Sequence, residues 1–160
     1  MPNQLRSPLM RLVVSVQSLR LGARCQSTRT SAAGVERYKY EPLSKSTNIR
    51  LLKIRKGDGE IHCSMVEAAK KTPNFEALSY TWGSPTRADE NQTESRSDRV
   101  IYLNKKSFTV TNNLFDALLY FRDLGKDGYL WIDAICIDQG NIDERGEQVR
   151  VMGDIYSNAD

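Results

Sequence analysis

Residues 129–139 read Tyr129-Leu130-Trp131-Ile132-Asp133-Ala134-Ile135-Cys136-Ile137-Asp138-Gln139. Up to Ile137 only Asp133 is charged, a pattern too apolar for a strand with one wet face. Parallel strands covered on both sides read this way, so a buried strand is expected from Tyr129, running on through Ala134–Ile137. Phe75-Glu76-Ala77-Leu78-Ser79-Tyr80-Thr81-Trp82 has the same texture and is stopped by Gly83-Ser84-Pro85. It reads as a buried central strand.

Helical patterns surround the second run. Thr111 or Asn112 can accept hydrogen bonds from the free amides of a first helical turn. Leu114, Leu118 and Phe121 then fall on one stripe, with Phe115 and Leu119 beside it. Gly125 is placed to end that helix in a left-handed cap. After the turn Asp138-Gln139-Gly140, Asn141 and Glu144 make a capping-box-like start for a second helix. Its expected buried stripe is Val149, Met152 and Tyr156, with Ile155 alongside. Strand, helix, strand, helix predicts an α/β fold with parallel central strands.

Upstream, Ile49–Ile54 and Ile61–Val66 flank the turn signal Lys56-Gly57-Asp58-Gly59 and predict a β-hairpin. Val100–Leu103 and Phe108–Val110 are short strands around an Asn104-Lys105-Lys106 turn. Residues 86–98 are almost wholly polar and read as a loop; the sequon at Asn91 is a chance match in a chain without secretory context. No internal repeat is present.

The 160 residues suit one domain, here residues 35–160, with a tail at 1–34. The net charge of +3 comes from that tail, which carries five arginines and no acid; the remainder carries 18 basic and 20 acidic residues. The domain therefore has no electrostatic pull towards nucleic acid, and no apolar run is long enough to span a bilayer. The tail is either disordered or a mitochondrial presequence. A cytoplasmic location is expected, with the mitochondrion as the alternative. Cys25, Cys63 and Cys136 are odd in number and widely spaced, which argues against disulfides or a zinc site; Cys63 and Cys136 read as small core hydrophobes.

Three blocks resemble the heterokaryon incompatibility (HET) family of filamentous fungi, over its N-terminal portion. They are Phe75–Gly83, Phe108–Leu114 through Ala117-Leu118, and Leu130–Gln139 followed by Glu144-Arg145, Gln148-Val149, Met152 and Ile155-Tyr156. Family-motif positions are Glu76, Leu78, Ser79, Tyr80, Trp82, Gly83, Trp131, Asp133, Cys136, Asp138, Gln139, Glu144, Arg145, Gln148, Met152 and Tyr156. Asp138 stands where the family usually has Asn. The resemblance implies self/non-self recognition and regulated cell death, with other HET or signalling domains, or further copies, as partners. It also implies a distant likeness to TIR domains, hence an incomplete flavodoxin-like parallel sheet. Some TIR domains cleave NAD with a glutamate after the third core strand, which on this mapping lies beyond Asp160. The family continues there with an apolar strand and a Trp-Leu-Gly-like segment. On that reading the fold is truncated, marginally stable and prone to self-association.

Individual residues carry two readings each. Glu76 and Asp133 are candidate ligand contacts; alternatively Glu76 pairs with a buried arginine or backbone amides. Asp133, Asp138, Asp143 and Glu144 offer oxygens to a divalent cation, but Asp138 reads as a turn residue and Glu144 as a cap, so no metal or cofactor is expected. Trp82 and Trp131 are base-stacking platforms or, more simply, core anchors. His62 and Cys63 point to opposite faces of a strand and make no nucleophile pair, and nothing in the sequence supports a pairing of His62 with Cys136. Arg145 and Gln148 are placed to reach Asp133 or the Asp138 turn; Arg145 reads equally as a solvated surface charge. Catalytic residues are unassigned.

Overall fold

The computed structural model describes residues 34–69, 74–78 and 98–159. The tail to residue 33, Ser79–Gly83 and the polar loop as far as residue 97 lie outside the described residues, as does Cys25. Six strands form one sheet: β1 (Asn48–Ile54), β2 (His62–Ala69), β3 (Phe75–Ala77), β4 (Arg99–Leu103), β5 (Lys106–Val110) and β6 (Tyr129–Trp131). The helices are α1 (Asn112–Asp123), α2 (Asp133–Cys136) and α3 (Ile142–Asn158). The class is α/β, as expected.

The strand order is β3-β6-β1-β2-β4-β5. The hairpin β1–β2 stands at the centre, antiparallel from Asn48 opposite Ala69 to Ile54 opposite Cys63. β6 joins β1 antiparallel, with Leu52 opposite Leu130. β3 and β6 are parallel neighbours, as the sequence predicts, and β2 and β4 are also parallel. The sheet is therefore mixed, which corrects the expectation of a parallel centre. The cause lies in β1. Five of its seven residues are buried, including Ile49, Leu51 and Leu52, and a strand apolar on both faces belongs in the middle of a sheet.

Phe75–Ala77 consequently occupies an edge of the described sheet, a second correction. Glu76 is partly exposed there, and an edge lets a carboxylate remain wet. The run at 129–137 also differs from expectation. Strand β6 stops at Trp131, and Asp133–Cys136 turn into a single helical turn whose Ile135 and Cys136 amides donate to the Ile132 carbonyl at 3.0 and 2.7 Å. Both conformations bury the same apolar side chains, so a short apolar run does not distinguish them.

Successive residues of a strand point to opposite faces, and the helices use both. On one face Phe121 of α1 lies beside Ile54 and Leu130. On the other, Tyr156 of α3 meets Trp131 edge-on at 5.5 Å. The Thr111 hydroxyl caps α1 by accepting from the Leu114 amide, and Gly125 (φ +65°) closes it as predicted. Asn104 and Lys105 both adopt positive φ (49° and 70°) in the β4–β5 turn, the geometry that two-residue hairpins favour.

Candidate functional site

The polar residues of the third block converge on the start of α3. Asn141 caps that helix, its Oδ1 accepting from the Glu144 amide at 3.1 Å. A capping box would send the Glu144 side chain back to the Asn141 amide. Instead Glu144 reaches the Asp138 amide at 2.9 Å and forms a two-pronged ion pair with Arg50 of β1, Nη2 to Oε2 being 3.0 Å. The Asn141 amide is satisfied by the Asp138 carbonyl at 3.1 Å.

Arg50 is the hub. Its guanidinium also donates to the Cys136 carbonyl (3.2 Å) and the Glu41 carbonyl (2.6 Å), and it lies 5.0 Å from the Tyr40 ring centroid. Tyr40 in turn donates to the Ile135 carbonyl at 2.8 Å. One cation thus gathers the N-terminal segment, β1, α2 and α3. Side-chain exposures of 5% for Arg50 and 9% for Glu144 make this a buried pair. Such pairs persist when the geometry is good and the remaining donors are satisfied. Burial by itself would raise the Glu144 carboxyl. The hydrogen bonds from Arg50 and the Asp138 amide, with the Arg50 charge, outweigh it and hold the carboxyl below its ordinary 4.5. Burial pushes the Tyr40 phenol up, and it remains a neutral donor.

Other motif residues complete this clasp. The Gln139 amide donates to the Asp133 carbonyl at 3.0 Å, and the Asp138 carboxylate accepts from the Gly140 amide at 3.1 Å, closing the turn. Buried Gln148 donates to the Asn48 carbonyl at 3.0 Å. The expected link from Gln148 to Asp133 or Asp138 is thereby corrected, since Gln148 reaches β1 and Glu144 holds the turn, while Arg145 is exposed, in keeping with its reading as a surface charge. The expected α3 stripe rotates accordingly. Val149 is 55% exposed, whereas Gln148 and Ile155 are buried and Val151, Met152 and Tyr156 pack beside the core.

Trp131 is fully buried, a core anchor, and its Nε1 has no hydrogen-bond partner among the described residues. Leu78 is buried, and its amide donates to the Trp131 carbonyl at 2.9 Å. Cys63 and Cys136 are buried, and burial pushes both thiols up to about 12. His62 does not face Cys136; it stacks on Tyr102 at 4.8 Å on the exposed surface. Among the described residues Glu76 meets neither a buried arginine nor backbone amides. Its partner is Lys126, with both carboxylate oxygens within 2.7 Å of Nζ. The pair borders a crevice lined by Ile54, Phe121, Gly128 and Leu130. The Asp133 carboxylate accepts from the Ala134 amide at 2.8 Å, and Asp143 is exposed on α3. Glu76, on β3, does not join Asp133, and no three His, Cys, Asp or Glu gather among the described residues. No helix there is long and apolar enough to cross a membrane.

Sequence reasoning missed Arg50, Tyr40, Asn48 and Lys126. Arg50 did leave a signal: a single cation inside the apolar run Ile49–Leu52 needs a buried carboxylate to meet it.

Comparison with known proteins matches the same region. Residues 75–160 fit the family model described as Heterokaryon incompatibility protein (HET). The chain is 33% identical over 144 residues to heterokaryon incompatibility protein 6, OR allele, of Neurospora crassa, covering 84% of this chain. It spans about a fifth (21%) of that relative's length. No solved structure matches it.

Proposed function

The chain belongs to the heterokaryon incompatibility family, and from that premise we propose that it serves self/non-self recognition in filamentous fungi as an interaction module whose engagement leads to regulated cell death. One observation carries the reading. Polar residues of the family block are committed to structure: Glu144 and Gln148 hold α3 to β1, and Gln139 and Asp138 tie the turn between α2 and α3. They act as a scaffold, and the outer side of α3 is left to meet a partner, with Ile142 73% exposed. The partners proposed are other HET or signalling domains, or a second copy, in the cytoplasm.

Expression in a filamentous fungus tests this reading. The chain is expected to lower hyphal viability in fusions between unlike strains, and Trp131→Asp, which places a charge in the core, to abolish the effect. Viability equal to an empty vector in every pairing would overturn it.

A TIR-like arrangement is the finer reading of the fold. The parallel neighbours β3 and β6 support it, with Asp133 at the carboxyl end of β6, where open α/β sheets bind ligands. An NAD-hydrolysing activity would follow from that likeness. Incubation of purified protein with NAD separates it from the interaction module, which predicts no loss of NAD.

A further inference from the structure

We infer that α3 is a detachable helix, hinged at the Asp138–Asn141 turn, and that the Arg50–Glu144 pair sets how often it opens. The distribution of burial leads to this. Only Gln148 and Ile155 of its 17 residues are buried, and one of these is polar. By contrast, α1 buries five of 12 residues, all apolar. The fastenings of α3 are unevenly spread. Its first two turns hold the Glu144 link to Arg50 and the Gln148 link to the Asn48 carbonyl. Beyond Gln148 the apolar attachments include buried Ile155, the Tyr156–Trp131 ring contact and partly buried Val151 and Met152. Segments with little buried apolar surface open below the global unfolding free energy.

The pair works as an opening device because of what it joins. Arg50 belongs to β1, the strand that pairs with both β2 and β6, whereas Glu144 belongs to the moving helix. The Asn141 cap and Asp138–Gly140 contact lie within the hinge and helix themselves, so they survive opening and let α3 leave as a formed unit. Opening uncovers Trp131 and Ile155 and frees Arg50 together with Glu144. This inference does not depend on the proposed function.

Native-state hydrogen exchange on the 160-residue chain tests it. Amides of residues 146–158 are expected to exchange through an opening with little denaturant dependence, while Leu51 and Leu52 exchange only through global unfolding. In Glu144→Gln the native state loses the pair relative to both the opened and the unfolded state. The α3 amides and those of Leu51 and Leu52 should therefore all exchange on the order of a hundredfold faster, the α3 amides still through the opening with little denaturant dependence. Unchanged α3 exchange would show that the pair does not set the opening. If α3 and β1 amides of the unmodified protein share one exchange isotherm, the helix does not open by itself and the inference is overturned. The unmodified protein decides the question even if the variant unfolds.

Discussion

Arg50 and Glu144, 94 positions apart, face each other as a nearly fully buried ion pair in which Nη1 meets Oε1 and Nη2 meets Oε2. Among the described residues no third ionised side chain is bonded to the pair, and the Tyr40 ring lies 5.0 Å from the guanidinium. The main-chain carbonyls of Cys136 and Glu41 accept a second hydrogen bond from Nη1 and from Nη2 of Arg50, and the Asp138 amide meets Glu144. The family block and the central strand are joined at this point.

Removing one charge strands the other. Glu144→Gln is expected to cost about 3–5 kcal/mol in denaturant unfolding, the range for breaking a buried pair from one side. Replacing both partners with apolar residues, Arg50→Met with Glu144→Leu, should cost less than that single change.

Acid should act through the same carboxyl. Its folded value lies below its ordinary 4.5, so its stabilisation is complete above that value and disappears as pH falls through the folded one. Unfolding free energy is expected to decline below about pH 4.5, and Glu144→Gln to show a shallower decline. Equal slopes in the two proteins would mean that other carboxylates carry the acid response.

Trp131 separates volume from polarity. Trp131→Ala should cost about 3–5 kcal/mol through the cavity it leaves. Trp131→Phe should cost less than about 2 kcal/mol, because it also removes an indole N–H that lacks a partner among the described residues. Chemical denaturation of the two variants checks the order.

Asn104 holds a left-handed turn position while its side-chain amide bonds the Met65 amide and carbonyl at 3.0 and 3.2 Å, continuing the β2–β4 ladder. Asn104→Ala loses both bonds and strains φ, an expected loss of about 2 kcal/mol. Asn104→Gly relieves only the strain, so its melting temperature should fall between the other two.

The two core thiols should resist labelling. Cys63 and Cys136 are buried and pushed up to about 12, so in a Cys25→Ser protein a thiol reagent at pH 8 is expected to react only on unfolding. Prompt native labelling of Cys136 would show that the clasp beside it opens readily.

The sequence made local features legible and left distant ones obscure. Thr111 and Gly125 announced both ends of α1, and Asn104-Lys105 marked the β4–β5 turn, because caps and left-handed positions depend on a few neighbouring residues. Gly57 and Gly59 placed the β1–β2 turn, but nothing local says that this hairpin lies at the centre of the sheet. The turn at Asp133–Cys136 escaped because an apolar run of that length suits a strand equally well. Gln148 escaped because its burial depends on the Asn48 carbonyl, 100 positions away. For the same reason Glu144 was legible as a cap residue but not as the partner of Arg50.

A double-mutant cycle between Arg50 and Glu144, read by denaturant unfolding, tests the central claim most directly. Arg50→Met, Glu144→Gln and the double variant should give a coupling of about 2 kcal/mol or more, as expected for groups in one network. Additivity within about 0.3 kcal/mol would contradict the account, because the family block would then be held to the sheet by something other than this pair.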